Sequence, residues 1–191
     1  MWAAKKRVLV SYLRSADSYD ELYREEQARK FRVVIELIEP TEEDLILDAG
    51  CGTALLVEFL QTVGCRLVGV DFARSMIKKA MSKTGSRNVD LVIADVDALP
   101  FAPGSFTKTL AITLAQNLLD PAATLRELDR VTREGGLVVI SGLRVNWPEQ
   151  LTRLVSDERR AKLVDTPDLN DVIASYQKTP RCGSKILKQQ T

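Results

Sequence analysis

The segment Leu45-Ile46-Leu47-Asp48, followed by Ala49-Gly50-Cys51-Gly52-Thr53, constrains the fold of this chain more than any other. A buried strand of a parallel sheet reads as a short apolar run, and glycines directly after it let the chain turn tightly and let backbone N–H groups approach a ligand. The pattern recurs downstream. Arg66-Leu67-Val68-Gly69-Val70 ends at Asp71, and the run from Val89 to Ala94 ends at Asp95, so three acids follow one another at intervals of 23 and 24 residues.

Between these runs the periodicity is helical. Ser18-Tyr19-Asp20-Glu21 has the form of a capping box, and Phe31, Val34, Ile35 and Ile38 recur at helical spacing up to Pro40. This predicts an amphipathic N-terminal helix, with Arg29 and Lys30 on its solvated face. Further helices are predicted over Thr53 to Val63 and Arg74 to Ser82, and a strand near Phe106 to Ile112. Asp120-Pro121 then caps a helix with Leu125, Leu128 and Val131 as its buried stripe; Gly135-Gly136 is expected to end it before a strand at Leu137 to Ile140. Past Gly142 the pattern weakens to a short helix from Trp147-Pro148, strands at Lys162 to Val164 and Asp171 to Tyr176, and a frayed tail from Lys178.

Strands alternating with helices at this rhythm predict an α/β fold: a Rossmann-like doubly wound sheet, mostly parallel with an antiparallel last strand, helices on both faces, and a ligand at the carboxyl ends of the strands. A chain of 191 residues suits one domain. Within it, 1–40 is expected to form a helical cap, 41–142 the cofactor-binding core, 143–177 the completion of the sheet and 178–191 a flexible tail.

Composition excludes several alternatives. Lys+Arg at 27 against Asp+Glu at 26 leaves no global field for a nucleic acid or a membrane surface. Val8-Leu9-Val10 is too short for a signal peptide or a membrane span, so a cytoplasmic protein is expected. There is no histidine, and Cys51, Cys65 and Cys182 form no metal-spaced pair, which argues against Ser-His-Asp or Cys-His catalysis, a zinc site and a disulfide framework.

Helix capping accounts for any one acid at a strand end, since aspartate is common there. Three in register beside Gly50 and Gly52 point instead to one crevice. An ionised carboxylate only accepts hydrogen bonds, so Asp71 at the end of the second strand suits the two neighbouring hydroxyls of a ribose.

In these residues the chain resembles the class I S-adenosylmethionine-dependent methyltransferases, of the type 11-like group. Asp48-Ala49-Gly50-Cys51-Gly52-Thr53 is similar to the family's first motif, Val70-Asp71-Phe72-Ala73-Arg74-Ser75-Met76 to its second and Ala94-Asp95-Val96-Asp97-Ala98-Leu99-Pro100-Phe101 to its third. Leu118-Leu119-Asp120-Pro121 through Glu134-Gly135-Gly136 resembles its late helix and strand, and the likeness spans about Asp44 to Gly142. It implies S-adenosylmethionine as cofactor, with Gly50, Cys51, Gly52 and Thr53 against its methionine and ribose portions and Asp48 near its amino group. Asp71 would hold the ribose, Phe72 and Met76 would lie beside the adenine, and Asp95 with Val96 would read the adenine edge. Thr113 would complete the cofactor wall, Tyr19 and Tyr23 would close over the methionine end or simply pack the amphipathic helix, Arg29 and Lys30 would meet the cofactor's carboxylate if they are not solvated, and Gln116, Asn117 and Tyr19 would face the acceptor. Cys51 has no histidine partner and is read as structural.

The resemblance has two departures: Ala54 replaces a third glycine, and Thr107 stands where an acid often follows phenylalanine. Thr113-Leu114-Ala115-Gln116-Asn117 also lacks the Asn/Asp-Pro-Pro-Tyr/Phe pattern of amino-methylating relatives. The acceptor is therefore left open among small molecules, tRNA and proteins, and a homodimer or a small activating subunit is a reasonable partner. Basic Lys178, Arg181, Lys185 and Lys188 could touch RNA phosphates but read more simply as a solvated tail. Two other functions remain open at this point: an NAD-dependent oxidoreductase and a non-catalytic binding protein of the same fold.

Overall fold

The computed structural model describes residues 19–85, 88–164 and 168–179; the Ser18 capping position, the N-terminal segment before it and the basic tail from 180 lie outside the described residues, as does the side chain of Tyr19. Chain order is α1 (Tyr19–Ile38), β1 (Leu45–Ala49), α2 (Val57–Leu60), β2 (Arg66–Asp71), α3 (Arg74–Thr84), β3 (Val89–Ile93), β4 (Phe106–Ala111), α4 (Pro121–Val131), β5 (Thr132–Leu143), α5 (Glu149–Ser156), β6 (Lys162–Val164) and β7 (Asp171–Gln177). The seven strands form one sheet in the order β3-β2-β1-β4-β5-β7-β6. The first five pair in parallel, and β7 runs antiparallel between β5 and β6. The Rossmann-like, mostly parallel sheet expected from the sequence is the observed one.

Side chains of a strand alternate between faces, and here that alternation builds two cores. Ile46 packs with Phe31, Val34 and Ile38 of α1 and Leu60 of α2, while Leu47 joins Leu125, Leu128 and Val131 of α4 and Leu151 and Val155 of α5. Helices thus cover both faces. The chain runs outward from β1 to β3 and then returns to β4 on the other side of β1, so a crevice opens between the carboxyl ends of β1 and β4.

Several local expectations change. The helix predicted over Thr53 to Val63 is regular only from Val57 to Leu60, because Gly52 and Ala54 take positive φ values of 54° and 58° and the chain turns before it coils. Asp120 caps α4 as expected, its Oδ1 accepting the Ala123 N–H at 3.0 Å. Yet α4 ends at Val131 and passes into β5 at Thr132, so Gly135-Gly136 lies inside a strand rather than after a helix. The pair sits where the β4–β5 register shifts between Phe106 and Lys108. A Cβ on Gly136 would lie 2.7 Å from the Thr107 carbonyl oxygen and 2.9 Å from that of Arg133, neither of which can swing away. Gly136→Ala is expected to destabilise the fold by about 2 kcal/mol, read as a lower denaturation midpoint at unchanged m-value.

The tail expected to fray from Lys178 stays on the sheet there: the Lys178 N–H donates to Gly136 O at 2.8 Å and Gly135 N–H to Lys178 O at 2.9 Å. Among the described residues, no helix is long and apolar enough to cross a membrane.

Candidate functional site

The crevice at the β1/β4 switch holds an open cleft of about 1020 Å³ including its solvent-filled mouth, at the place where this fold presents a ligand. Of the residues singled out in the sequence, Asp48, Gly50, Cys51, Gly52, Thr53, Asp71, Phe72, Met76, Asp95, Val96, Thr113 and Asn117 all line it. Each strand contributes at its carboxyl end, which is why residues so far apart in sequence meet. Gly50 turns at φ 86°, and its N–H and that of Cys51 both donate to Val70 O at 2.7 and 2.9 Å, binding the glycine turn to the neighbouring strand. A Cβ on Gly50 would stand 3.1 Å from Leu114 Cδ1, the end of a flexible side chain, so it is the positive φ that calls for glycine here.

Asp71 is already positioned by backbone donors: Oδ1 accepts from Ala73 N at 2.8 Å and Oδ2 from Gly52 N at 3.0 Å. An ionised carboxylate has about four acceptor sites, so each oxygen retains capacity toward the cleft. Burial raises the Asp71 pKa, while the two N–H donors oppose that shift. Asp48 has no such support. Burial, reinforced by the charge of Asp71, pushes its pKa up to about 7, and no hydrogen-bond donor reaches it among the described residues. In the apo protein the neutral form is therefore favoured, and a cationic donor entering from the cleft would restore the charge.

Cys51 is not a nucleophile in this setting: burial first, then the charges of Asp48 and Asp71, raise its thiol well above the usual range. Asp95 Oδ1 accepts the Asp97 N–H at 3.1 Å, and Thr124 donates its hydroxyl to Asp97 Oδ1, tying the third strand end to α4.

Other expectations need revision. Tyr23 is exposed and does not line the cleft; Gln27 and Phe31, one and two turns further along α1, do. Gln116, expected to face the acceptor, instead braces the backbone. Its Nε2 donates to Thr113 O at 2.7 Å and its Oε1 accepts Leu143 N–H at 3.2 Å. Lys30, expected on a solvated face, is fully buried, with Nζ 2.9 Å from Asp171 Oδ1 and 2.6 Å from Thr113 Oγ1. Thr113 takes a φ of 56°, a strained angle for a β-branched residue that costs on the order of 1–3 kcal/mol.

The sequence reading missed Gln27, Phe31, Leu55, Asp97, Ile112, Leu114 and Leu118 on the cleft wall. The one available signal was position: Ile112, Leu114 and Leu118 follow the end of β4, where the fold presents a ligand.

In sum of charge, the cleft presents Asp48, Asp71, Asp95 and Asp97 and no lysine or arginine on its described wall. Such a wall suits a ligand carrying hydroxyls and positive charge.

Comparison with known proteins agrees with this geometry. Residues 47–140 match the family model described as a methyltransferase domain. A protein of Methanocaldococcus jannaschii described only as uncharacterised is 33% identical over 68% of this chain and 49% of its own length. The malonyl-acyl carrier protein O-methyltransferase of Hamiltonella defensa is 27% identical over 78% of this chain and 57% of its own. The chain thus spans about half the length of the curated relatives it matches. A chain of the solved complex containing the Haloferax volcanii Trm112 methyltransferase activator superposes with a TM-score of 0.74 at 16% identity, over 90% of this chain and 98% of that one, and shares the fold. With the glycine turn, the three strand-end acids and the family model falling on the same stretch of sheet, the chain belongs to the class I S-adenosylmethionine-dependent methyltransferases.

Proposed function

We propose that this chain transfers a methyl group from S-adenosylmethionine to an acceptor by in-line displacement, with Asp71 holding the ribose hydroxyls and Asp48 facing the amino group of the methionine moiety. The observation that carries it is Asp48, a buried carboxylate without a donor, in a cleft rich in acids and lined by no cation among the described residues. Held by Asp71 and Asp48, the cofactor would supply an electrophilic methyl group on a sulfonium whose sulfur can leave with the bonding electrons as the acceptor's lone pair takes the carbon.

The protein's part is binding, alignment and exclusion of water. Gly50 and Gly52 allow close backbone approach, Asp71 fixes the ribose, and Asp95 with the Val96 backbone reads the adenine edge beside Phe72 and Met76. Phe31, Ile112, Leu114 and Leu118 dry the wall, so the reacting atoms meet without competing water. No imidazole is needed. An acceptor that must lose a proton passes it to water or to a carboxylate, and Asn117, on the cleft wall, is the side chain assigned to orient it.

The same acids weigh against an NAD-dependent oxidoreductase, because a pyrophosphate would meet carboxylates and no lysine or arginine on the described wall. S-Adenosylhomocysteine at 100 times its Kd is expected to stabilise the protein by about 2.7 kcal/mol, raising Tm by about 5–10 °C, with no shift from NAD. A shift from NAD alone would reverse the assignment.

The acceptor is proposed to be a small molecule, a tRNA or a protein, which a labelled-methyl screen with and without RNase separates. The Haloferax complex supports a small activating subunit as a partner, with a homodimer as the competing outcome of size-exclusion chromatography. The setting is proposed as cytoplasmic, where free thiols such as Cys51 and Cys65 stay reduced.

A further inference from the structure

We propose that Lys30 and Asp171 are positioning residues of the cofactor site: their buried ion pair, through Thr113, sets the shape of the cleft wall between α1 and the end of β4. This rests on the function proposed above. The network converges on Thr113, while Asp171 Oδ1 meets Lys30 as an ion pair without hydrogen-bond geometry. The Thr113 hydroxyl accepts from Lys30 Nζ at 2.6 Å and from Gln27 Nε2 at 3.3 Å, and donates to Asp171 Oδ2 at 3.4 Å. The Thr113 N–H donates to Ser141 Oγ at 2.8 Å, Ser141 in turn donates to Asp171 Oδ2 at 2.9 Å, and the Thr113 carbonyl accepts from Gln116.

All three polar groups of Thr113 are therefore engaged with protein. What Thr113 offers the cleft is shape rather than a hydrogen bond. A threonine at φ 56° relaxes toward a commoner backbone angle unless its surroundings hold it, and here one ammonium and one carboxylate, both fully buried, are the charged anchors of those surroundings. Leu114, the next residue, packs over the Gly50 turn, so a relaxed Thr113 shifts the neighbour of the first glycine. Gln27 and Phe31 flank Lys30 on α1 and line the cleft, so the same ion pair fixes how α1 meets the ligand.

An ion pair that only fastens α1 to the sheet predicts changed stability and unchanged affinity per folded molecule. The positioning role predicts reduced affinity per folded molecule, whatever the change in stability. Removing Lys30 alone leaves a buried unpaired carboxylate and risks unfolding, so the test uses Lys30→Met with Asp171→Asn in one protein, and separately Thr113→Val, which keeps the ion pair and deletes the hydroxyl. Each is followed by thermal melting and by calorimetric titration with S-adenosylhomocysteine.

The expected result is a cooperative melt with affinity reduced about tenfold or more in both proteins. Thr113→Gly added to the charge-free pair is expected to restore part of that affinity, because glycine adopts the left-handed angle unaided. Wild-type affinity in either folded protein overturns the proposal; if the charge-free pair does not fold, Thr113→Val alone decides. Failure of the wild-type protein to bind S-adenosylhomocysteine overturns the proposed function instead, so the two failures are distinct.

Discussion

Asp71→Asn is expected to weaken S-adenosylhomocysteine binding about 100-fold or more while the protein still melts cooperatively. The carboxylate accepts from Gly52 N–H and Ala73 N–H and retains acceptor capacity on both oxygens. An asparagine retains one acceptor oxygen and places an NH₂ where two kinds of donor, backbone N–H and ribose O–H, already point. Hydrogen bonds to a charged group contribute about 1.5–3 kcal/mol each, and 1.4 kcal/mol is tenfold in affinity, so one ribose bond lost and the other stripped of its charge amount to about a hundredfold. Burial already disfavours the charge at this site, so neutralising it relieves part of the desolvation penalty and offsets the lost backbone contact in the apo protein. Isothermal titration reads the effect; an affinity within threefold of wild type would remove Asp71 from the ribose.

The second large effect comes from Asp48 and depends on pH. Its pKa is raised from 3.8 to about 7, so the folded apo protein holds this proton more tightly than the unfolded chain does. For this group, stability is fully present below about pH 4, declines as pH rises, and is lost by about pH 7. A shift of that size corresponds to on the order of 4 kcal/mol. Asp48→Asn is therefore expected to melt about 8 °C or more above wild type at pH 8, with the two melts converging near pH 4.

Ligand binding runs the other way. An ammonium against Asp48 favours the ionised form, so wild-type affinity for S-adenosylhomocysteine is expected to rise from pH 5.5 to 8, while Asp48→Asn binds more weakly and loses that dependence. Coincident melts at pH 8 together with a pH-independent wild-type affinity would falsify this role. The apo protein gives up stability so that a charge is available for the ligand.

Much of the fold is legible in the sequence because β1, β2 and β3 are bounded apolar runs whose acids mark the ligand end. Gly135-Gly136 misled because a glycine pair after a helix ordinarily ends it. What ends α4 is instead the extended backbone at Thr132, and the glycines answer to the Thr107 carbonyl, a neighbour that only the sheet register reveals. Lys30 misled for a similar reason. Helical periodicity assigns a lysine to solvent unless a partner is known, and Asp171 lies on a strand with no sequence mark tying it to α1. Gln27 and Phe31 went unassigned because a residue on the stripe of an amphipathic helix reads the same whether it packs on core or on ligand. The strand-end acids needed no such partner, since their meeting follows from topology alone.

Lys30 and Asp171 also order the events of synthesis. The helix carrying Lys30 is made before any strand of the sheet, and β7 with Asp171 is the last described strand to be made. A nascent chain stopped short of β7 has no carboxylate for that ammonium, so the apolar stripe of α1 can settle on the sheet only by burying an unpaired charge. The glycine turn and the strand-end acids are complete long before, yet the wall formed by Gln27, Phe31 and Thr113 waits for the returning antiparallel strand. Capture of the cofactor is then a late event on the ribosome's timescale, one that marks a finished sheet rather than helping to template it.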